Sequence, residues 1–321
     1  MTGLTMDAFC AMKSRAVPPP AKAPYPACLP TGHHRAPSPA LKLLDLIQRT
    51  TDYFTKQGVA SPRLQIECLL AHVLQMPRMQ LYLQFERTLT PAELDALRPL
   101  VKRRAEGEPL QHITGTTGFH GLTLACTPDA LVPRPETEVL VDLATEALKD
   151  RPPGHLADIG TGTGAIALAL SLTLPAWRIS ATDVSPAALD LARRNQSAHP
   201  GTERVELAQA DLLGPLTPDA VVANLPYLTD AEMASLPPEV KHDPELALRG
   251  GSDGLDLVRR LIASLPDSVS FIALELGPGQ PATAAALLKA RGFPAPRTAS
   301  DLADRERFVL AERPSAIPTA Q

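Results

Sequence analysis

Cysteine, charge of one sign and long apolar runs are all scarce in this 321-residue chain. Four cysteines stand at positions 10, 28, 68 and 126, with no CxxC pair and no HExxH segment. That pattern suggests neither a disulfide framework nor a metal site, and it suits a reducing, cytoplasmic setting. Cys68, on an apolar helical face, reads as core. The His33-His34 pair lies in a proline-rich tail and is read as no site. No run of about 18 apolar residues occurs, so no membrane span is expected. The richest stretch, Ala165 to Leu174, is broken by Ser171 and Thr173 before Pro175. A net charge of −4 and a pI of 6.1 argue against a protein whose main work is coating nucleic acid. What remains is 44% apolar residues, 21% charged residues and a mean hydropathy of −0.03. That is the composition of a soluble globular protein with room for two domains.

Residues 1–40 hold eight prolines, and four Lys/Arg against one Asp. Such a segment buries too little apolar surface to offset its ordering entropy, so a disordered extension is expected. Residues 41–106 read as a helical domain. Leu41 to Thr55 is periodic and stops near Gly58. Ser61-Pro62 is an N-cap followed by proline at the first helical position. Ile66, Leu69, Leu70, Val73 and Leu74 then fall on one face of a helix. Thr90-Pro91-Ala92-Glu93 is a capping box that opens a helix ending near Gly107. Lys102-Arg103-Arg104, in its last turn, complement the helix dipole or contact an acidic partner or RNA. Residues 107–134 form a connector, with a hairpin around Phe119 to Ala125. An α/β unit is expected over 135–312, and a flexible tail over 313–321.

From about residue 155, strands and helices alternate. Leu156–Ile159, Arg178–Val184, Val205–Ala210, Ala220–Ala223 and Phe271–Leu276 read as strands. Helices are expected at 165–172, 186–198 and 281–291. Ala295–Ala299 and Arg307–Ala311 read as two closing strands. Alternation of this kind specifies a doubly wound α/β sheet, whose ligands bind at the carboxyl ends of the strands.

Two constellations stand at those ends. After the first strand comes Gly160-Thr161-Gly162-Thr163-Gly164, where free helix N–H groups and bare glycines admit a ligand close to the backbone. Asp183, ending the next strand, can accept from both hydroxyls of a ribose. Asp211, ending the third, can accept from an adenine amino group while Leu212 packs on the ring. NAD and S-adenosylmethionine both carry such a nucleoside.

The second constellation, Asn224-Leu225-Pro226-Tyr227, separates them. A carboxamide or exocyclic base amine is planar, with a nitrogen lone pair delocalised into its neighbour. Two acceptors in the plane of that NH2 expose and aim the lone pair at a methyl group. The Asn224 side-chain oxygen and the Leu225 carbonyl are two such acceptors. Pro226 rigidifies the turn and Tyr227 offers a flat face for stacking. Dehydrogenases have no use for this arrangement. Glu275, Gly277 and Gln280 end the fifth strand and read equally well as caps of the next helix. Asp301 and Arg307 are placed to form a structural ion pair.

The chain resembles the HemK/PrmC family, glutamine methyltransferases that modify peptide-chain release factors. The resemblance covers about 41–312. It rests on Glu108-Pro-Leu-Gln-His-Ile-Thr-Gly115, Leu131-Val-Pro-Arg-Pro-Glu-Thr-Glu138, the Gly160–Gly164 loop, Asp183-Val-Ser-Pro-Ala-Ala-Leu189, Asn224–Tyr227 and Ala247-Leu-Arg-Gly-Gly-Ser-Asp-Gly-Leu255. It implies an S-adenosylmethionine-dependent methyltransferase sheet of Rossmann type, a smaller N-terminal helical domain that binds the release factor, and a β-hairpin linker. It further implies transfer to the side-chain amide nitrogen of the glutamine in the factor's Gly-Gly-Gln loop. Gly160, Thr161, Gly162, Thr163, Gly164, Asp183, Asp211, Leu212 and Asn224 would contact the cofactor, and Asn224, Leu225, Pro226 and Tyr227 the glutamine. No metal, no stable nucleic-acid or membrane partner and a monomeric state are expected.

Three positions depart from the family's pattern. Leu225 replaces a usual proline, Asp243 a usual glutamate before Pro244, and Asp304 a usual glycine between Asp301 and Arg307. Asn-Leu-Pro-Tyr is also a common spelling in rRNA adenine dimethyltransferases. Methylation of an exocyclic amine of adenine or cytosine in rRNA or DNA is therefore the first alternative. A binding protein that has lost catalysis is the second.

Overall fold

The computed structural model describes residues 41–313. The extension expected over 1–40, with Cys10, Cys28 and His33-His34, lies outside the described residues, as does the tail from residue 314. Arg313, expected in that tail, is held in place. Its guanidinium lies over the Phe293 ring at 4.2 Å and donates to the Arg291 carbonyl at 2.8 Å.

Five helices come first: α1 (Leu43–Lys56), α2 (Pro62–Leu74), α3 (Arg78–Leu81), α4 (Pro91–Ala105) and α5 (Leu110–Thr114). They enclose a core of their own around Leu43, Ile47, Phe54, Ile66, Leu69 and Leu70. Burying each such side chain contributes roughly 1.5–3 kcal/mol. The Thr90 capping box forms as expected, with Thr90 and Glu93 each taking the other's backbone N–H. Ser61 does not cap α2. It sits at φ 49°, its hydroxyl bonds no helix N–H, and Pro62 alone starts the helix through its fixed φ. Cys68 is half-buried rather than core. The buried residue on that turn is Glu67, because α3 packs over it and supplies Arg78; Arg63 and Tyr82 complete its hydrogen bonds.

The expected hairpin is formed by β1 (Thr116–Phe119) and β2 (Leu122–Ala125). Its two turn residues, His120 and Gly121, both take positive φ, the geometry that matches the twist of paired strands. Then follow α6 (Pro135–Leu148), β3 (His155–Ile159), α7 (Ala165–Thr173), β4 (Arg178–Asp183), α8 (Pro186–Ala198), β5 (Glu206–Gln209) and β6 (Ala220–Asn224). Next are β7 (Leu228–Thr229), α9 (Asp230–Met233), β8 (Arg249–Gly251), α10 (Asp256–Ser264), β9 (Phe271–Glu275), α11 (Pro281–Ala290), β10 (Arg297–Ser300) and β11 (Glu306–Glu312).

Seven strands form one sheet in the order β10-β11-β9-β6-β3-β4-β5, and β11 runs against both neighbours. Successive residues along a strand point to opposite faces. Leu156, Val222 and Ala273 therefore join one core under α6 and α7, while Ala157, Val221 and Ile272 join another under α10 and α11. Both faces being covered explains why the central strands are apolar without alternation. The order reverses at β3, which opens a crevice at its carboxyl end. The small β7·β8 pairing and α10 carried no signal in the sequence reading. β7 is only two residues long, and its partner lies some twenty residues on.

Candidate functional site

The crevice beyond β3 is shaped by a carboxylate under the glycine turn. Asp158 is fully buried, and its Oδ2 accepts from Thr161 Oγ1 (2.6 Å) and from the Ala167 N–H (3.1 Å). Burial pushes its carboxyl up to about 7, against these two hydrogen bonds. The N–H groups of Gly160 and Thr161 both reach the Thr182 carbonyl at 2.9 Å, tying the turn to β4. Asp183 closes it from the other side, with Oδ2 accepting from the Gly162 N–H and Oδ1 from the Ser185 N–H, each at 2.9 Å. Each Asp183 oxygen keeps a second lone pair for a ligand hydroxyl.

These residues wall a cavity of about 370 Å³. Gly160, Thr161, Gly162, Thr163, Asp183, Asp211, Leu212 and Asn224 all line it, as the sequence led us to expect. Gly164 does not. Its φ is +84°, and a Cβ there would stand 3.3 Å from that of Ala192, so it serves the close packing of α7 on α8. Asp211 is partly engaged, since one oxygen pairs with Arg260 of α10 at 2.5 Å. Ile166, Leu257 and Arg260 are wall residues the sequence reading did not single out. The donor set fits an adenosyl group: a fixed carboxylate for the ribose and apolar side chains for the ring.

Asn224 ends β6. Its Nδ2 donates to Thr137 Oγ1 of α6 at 3.1 Å. No donor among the described residues takes its Oδ1 or the Leu225 carbonyl. The Leu225 side chain is buried beneath the glycine turn, against Gly160. Replacing proline by leucine thus leaves the carbonyl free and adds a core anchor. The turn itself is clamped by main-chain contacts. A Cβ on Gly254 would lie 2.1 Å from the Tyr227 carbonyl, and one on Gly250 would lie 2.7 Å from the Pro226 carbonyl. Gln280 Nε2 donates to the Tyr227 carbonyl (2.9 Å), while its Oε1 accepts from the Gly277 N–H (2.9 Å). Gln280 is therefore a clamp on the turn as well as the residue before α11. The Ala247–Leu255 motif is the turn's scaffold.

A second cavity, of about 640 Å³, opens on the other side of this turn. Asn224, Leu225, Leu131, Arg134 and Ala247 belong to both walls. Tyr227 lines only the second cavity, and Pro226 only the first. The Asp301–Arg307 ion pair forms at 2.9 Å, and Arg307 shares the second cavity's wall with Tyr227. Burial pushes the Tyr227 phenol up, so it stays neutral. Asp304 takes the left-handed φ of +58° that glycine would take without strain, and the loop keeps its ion pair.

Asp243 is buried and ties the linker to this site. It accepts from Arg134 Nη2 (2.8 Å) and from the Val132 N–H (3.4 Å). Burial pushes its carboxyl up and Arg134 opposes the shift. Of the Lys102-Arg103-Arg104 run, Arg103 pairs with Glu108. Arg104 is buried, bridging Gln65, the Glu108 carbonyl and Glu239 of the second cavity's wall. Its role is internal, joining the helices to the loop over the site. Its partner lies 135 residues away, beyond the reach of any local pattern. Among the described residues no group of side chains could hold a metal ion, and no helix is long and apolar enough to cross a membrane.

Known proteins match this architecture in sequence and in shape. The PrmC N-terminal domain model matches residues 45–115, and the methyltransferase small domain model matches residues 137–236. The hMettl16 catalytic domain, solved with a 3′UTR hairpin, superposes with a TM-score of 0.51 at 17% identity, over 62% of this chain and 78% of that one, a likeness of fold alone. A release factor glutamine methyltransferase of Geobacter sulfurreducens is 40% identical over 270 residues, 81% of this chain and 93% of that protein. One of Deinococcus radiodurans is 41% identical over 278 residues, 85% of this chain and 99% of that protein. Matched over most of its length at that level, with its Asn-Leu-Pro-Tyr turn set between two cavities, this chain belongs to the release factor glutamine methyltransferases.

Proposed function

We propose that this protein methylates the side-chain amide nitrogen of the glutamine in the Gly-Gly-Gln loop of peptide-chain release factors. S-adenosylmethionine, held along Asp183, Leu212 and the Gly160–Gly164 turn, supplies an electrophilic methyl group on its sulfonium sulfur. The observation that carries the reading is the shared wall. Asn224 and Leu225 border both cavities and present two acceptors with no donor of their own. An NH2 group entering through the second cavity meets Asn224 Oδ1 and the Leu225 carbonyl, which turn its lone pair toward the first. Tyr227, on the second cavity's wall, gives the planar amide a face to lie on. Holding nitrogen and methyl about 3–3.5 Å apart removes most of the entropic barrier.

On the same reading the helical unit, 41–106, docks the release factor. The hairpin linker, 107–134, joins it to the catalytic unit, 135–312. Arg104 carries that connection to the wall of the second cavity. The enzyme works as a monomer in the cytoplasm, where translation terminates.

The Asn-Leu-Pro-Tyr spelling favours one alternative, transfer to the exocyclic amine of a flipped adenine or cytosine. Glu136, Glu232, Glu239 and Glu275 on the second cavity's wall, against Arg134 and Arg307, make a poor bed for phosphates. One experiment separates the two. The protein is incubated with methyl-labelled S-adenosylmethionine, release factor and rRNA together, and the label is located by mass spectrometry. Label on the Gly-Gly-Gln glutamine is expected; label on RNA overturns the reading.

A further inference from the structure

We infer that Glu275, acting through Thr137, fixes which end of the Asn224 amide faces the substrate. It is thus a positioning residue for the transfer, an inference that rests on the glutamine reading above. Glu275 ends β9 and is the register partner of Asn224 across the parallel β6·β9 pair, so both side chains leave the same face at the same edge. It is 2% exposed, yet it borders the second cavity. The Thr137 hydroxyl and the Asn224 amide, bonded to each other at 3.1 Å, are neighbours of its carboxyl, and its Oε2 has no partner among the described residues. A buried carboxyl oxygen without a partner destabilises the fold, so stability alone does not explain it. It is not a structural ion pair either, since the nearby Arg307 is paired with Asp301.

The orientation of an asparagine amide is set by its hydrogen-bond partners. Thr137 has one hydroxyl proton to give. When Glu275 is ionised, that proton goes to the carboxylate, and Thr137 can then only accept from Asn224. The Asn224 NH2 turns to Thr137 and the Oδ1 turns to the substrate, the arrangement seen here. When Glu275 is protonated, Thr137 is free to donate. The Asn224 amide can then reverse and present N–H groups to an NH2 that needs an acceptor. The charged and titratable groups facing Glu275 are Arg307 from β11, Glu136 from α6 and Tyr227 from the turn after β6. Burial outweighs the hydrogen bond from Thr137 and the charge of Arg307, and the Glu275 carboxyl is pushed up to about 7. The switch therefore falls near neutral pH.

The test uses full-length protein with a release factor as substrate. Wild-type kcat is expected to rise with pH through about 7. Thr137→Val and Glu275→Gln should each lower kcat about 10–100-fold and remove that limb, by analogy with other residues that orient a site group. KM for the factor and affinity for S-adenosylhomocysteine, read by calorimetry, should stay near wild type. Thr137→Ser should keep the limb. Without substrate, the side-chain amide resonances of Asn224 in 15N-asparagine-labelled protein should shift with a midpoint near 7, and this shift should vanish in Glu275→Gln. If Thr137→Val does not fold, Glu275→Gln answers alone by the same two readouts. A limb and an amide transition that persist unchanged in the folded variant overturn the inference. A wild type that leaves glutamine unmethylated but shows the amide transition instead counts against the substrate reading alone.

Discussion

The two cavities that meet at Asn224 are built by different means. The first is built around a local object. Asp158, the Gly160–Gly164 turn and Asp183 lie within 26 residues, and hydrogen bonds to the two strand-end carboxylates hold the turn between them. The second is assembled from remote pieces. Its wall takes Glu136 from α6, Glu275 from β9, Arg307 from β11 and Glu239, which Arg104 of α4 holds, while Thr137, Gly250, Gly254 and Gln280 brace the turn it shares with the first. A nucleoside pocket needs only a backbone bend and one carboxylate. Aiming an amide lone pair needs several side chains fixed at once, and no single segment supplies them.

That contrast predicts separable damage. Asn224→Ala should lower the methyl-transfer rate by about 10²–10³, the loss expected for one positioned hydrogen-bonding group. Single-turnover kinetics checks the rate, and calorimetry should find S-adenosylhomocysteine still bound. Asp183→Asn should do the reverse. Turning one acceptor into a donor should weaken cofactor binding about 10–100-fold, leaving affinity for the release factor unchanged. If either variant damages both sites equally, the cavities are not the separate devices drawn above.

Smaller effects test the scaffold. Gly254→Ala places a methyl against the Tyr227 carbonyl at a φ of +76°. It should cost about 1–3 kcal/mol of stability, seen in denaturant melts, and displace the glutamine turn while the glycine turn binds cofactor normally. Asp304→Gly, at a residue that lines neither cavity, should stabilise by no more than about 1 kcal/mol, by relieving a left-handed aspartate.

The same contrast explains what the sequence could say. Periodicity and turn residues carry the helical unit, the hairpin and the alternating strands, because each is decided within a dozen residues. Asp183, Leu212 and Asn224 are legible because strand ends in this fold face the ligand crevice. Thr137 and Glu275 were not. The first looks like an ordinary helix residue and the second like a cap, and only the pairing of β6 with β9 and the approach of α6 give them a common target. Arg104 read as a dipole partner for the same reason, since its acceptor on Glu239 is brought to it only by the folded chain. Ser61 fails in the other direction: a strong local cap signal is unused because Pro62 and a left-handed backbone already start the helix.

The most direct test is a crystal structure of the protein with S-adenosylhomocysteine and a peptide carrying Gly-Gly-Gln. The expected result puts the thioether sulfur in the cavity beneath the Gly160–Gly164 turn. The glutamine side chain should enter through the second cavity, with its nitrogen bonded to Asn224 Oδ1 and to the Leu225 carbonyl. A glutamine bound elsewhere, or one whose carbonyl rather than its NH2 meets Asn224, would contradict the assignment of this turn as the methyl-transfer site.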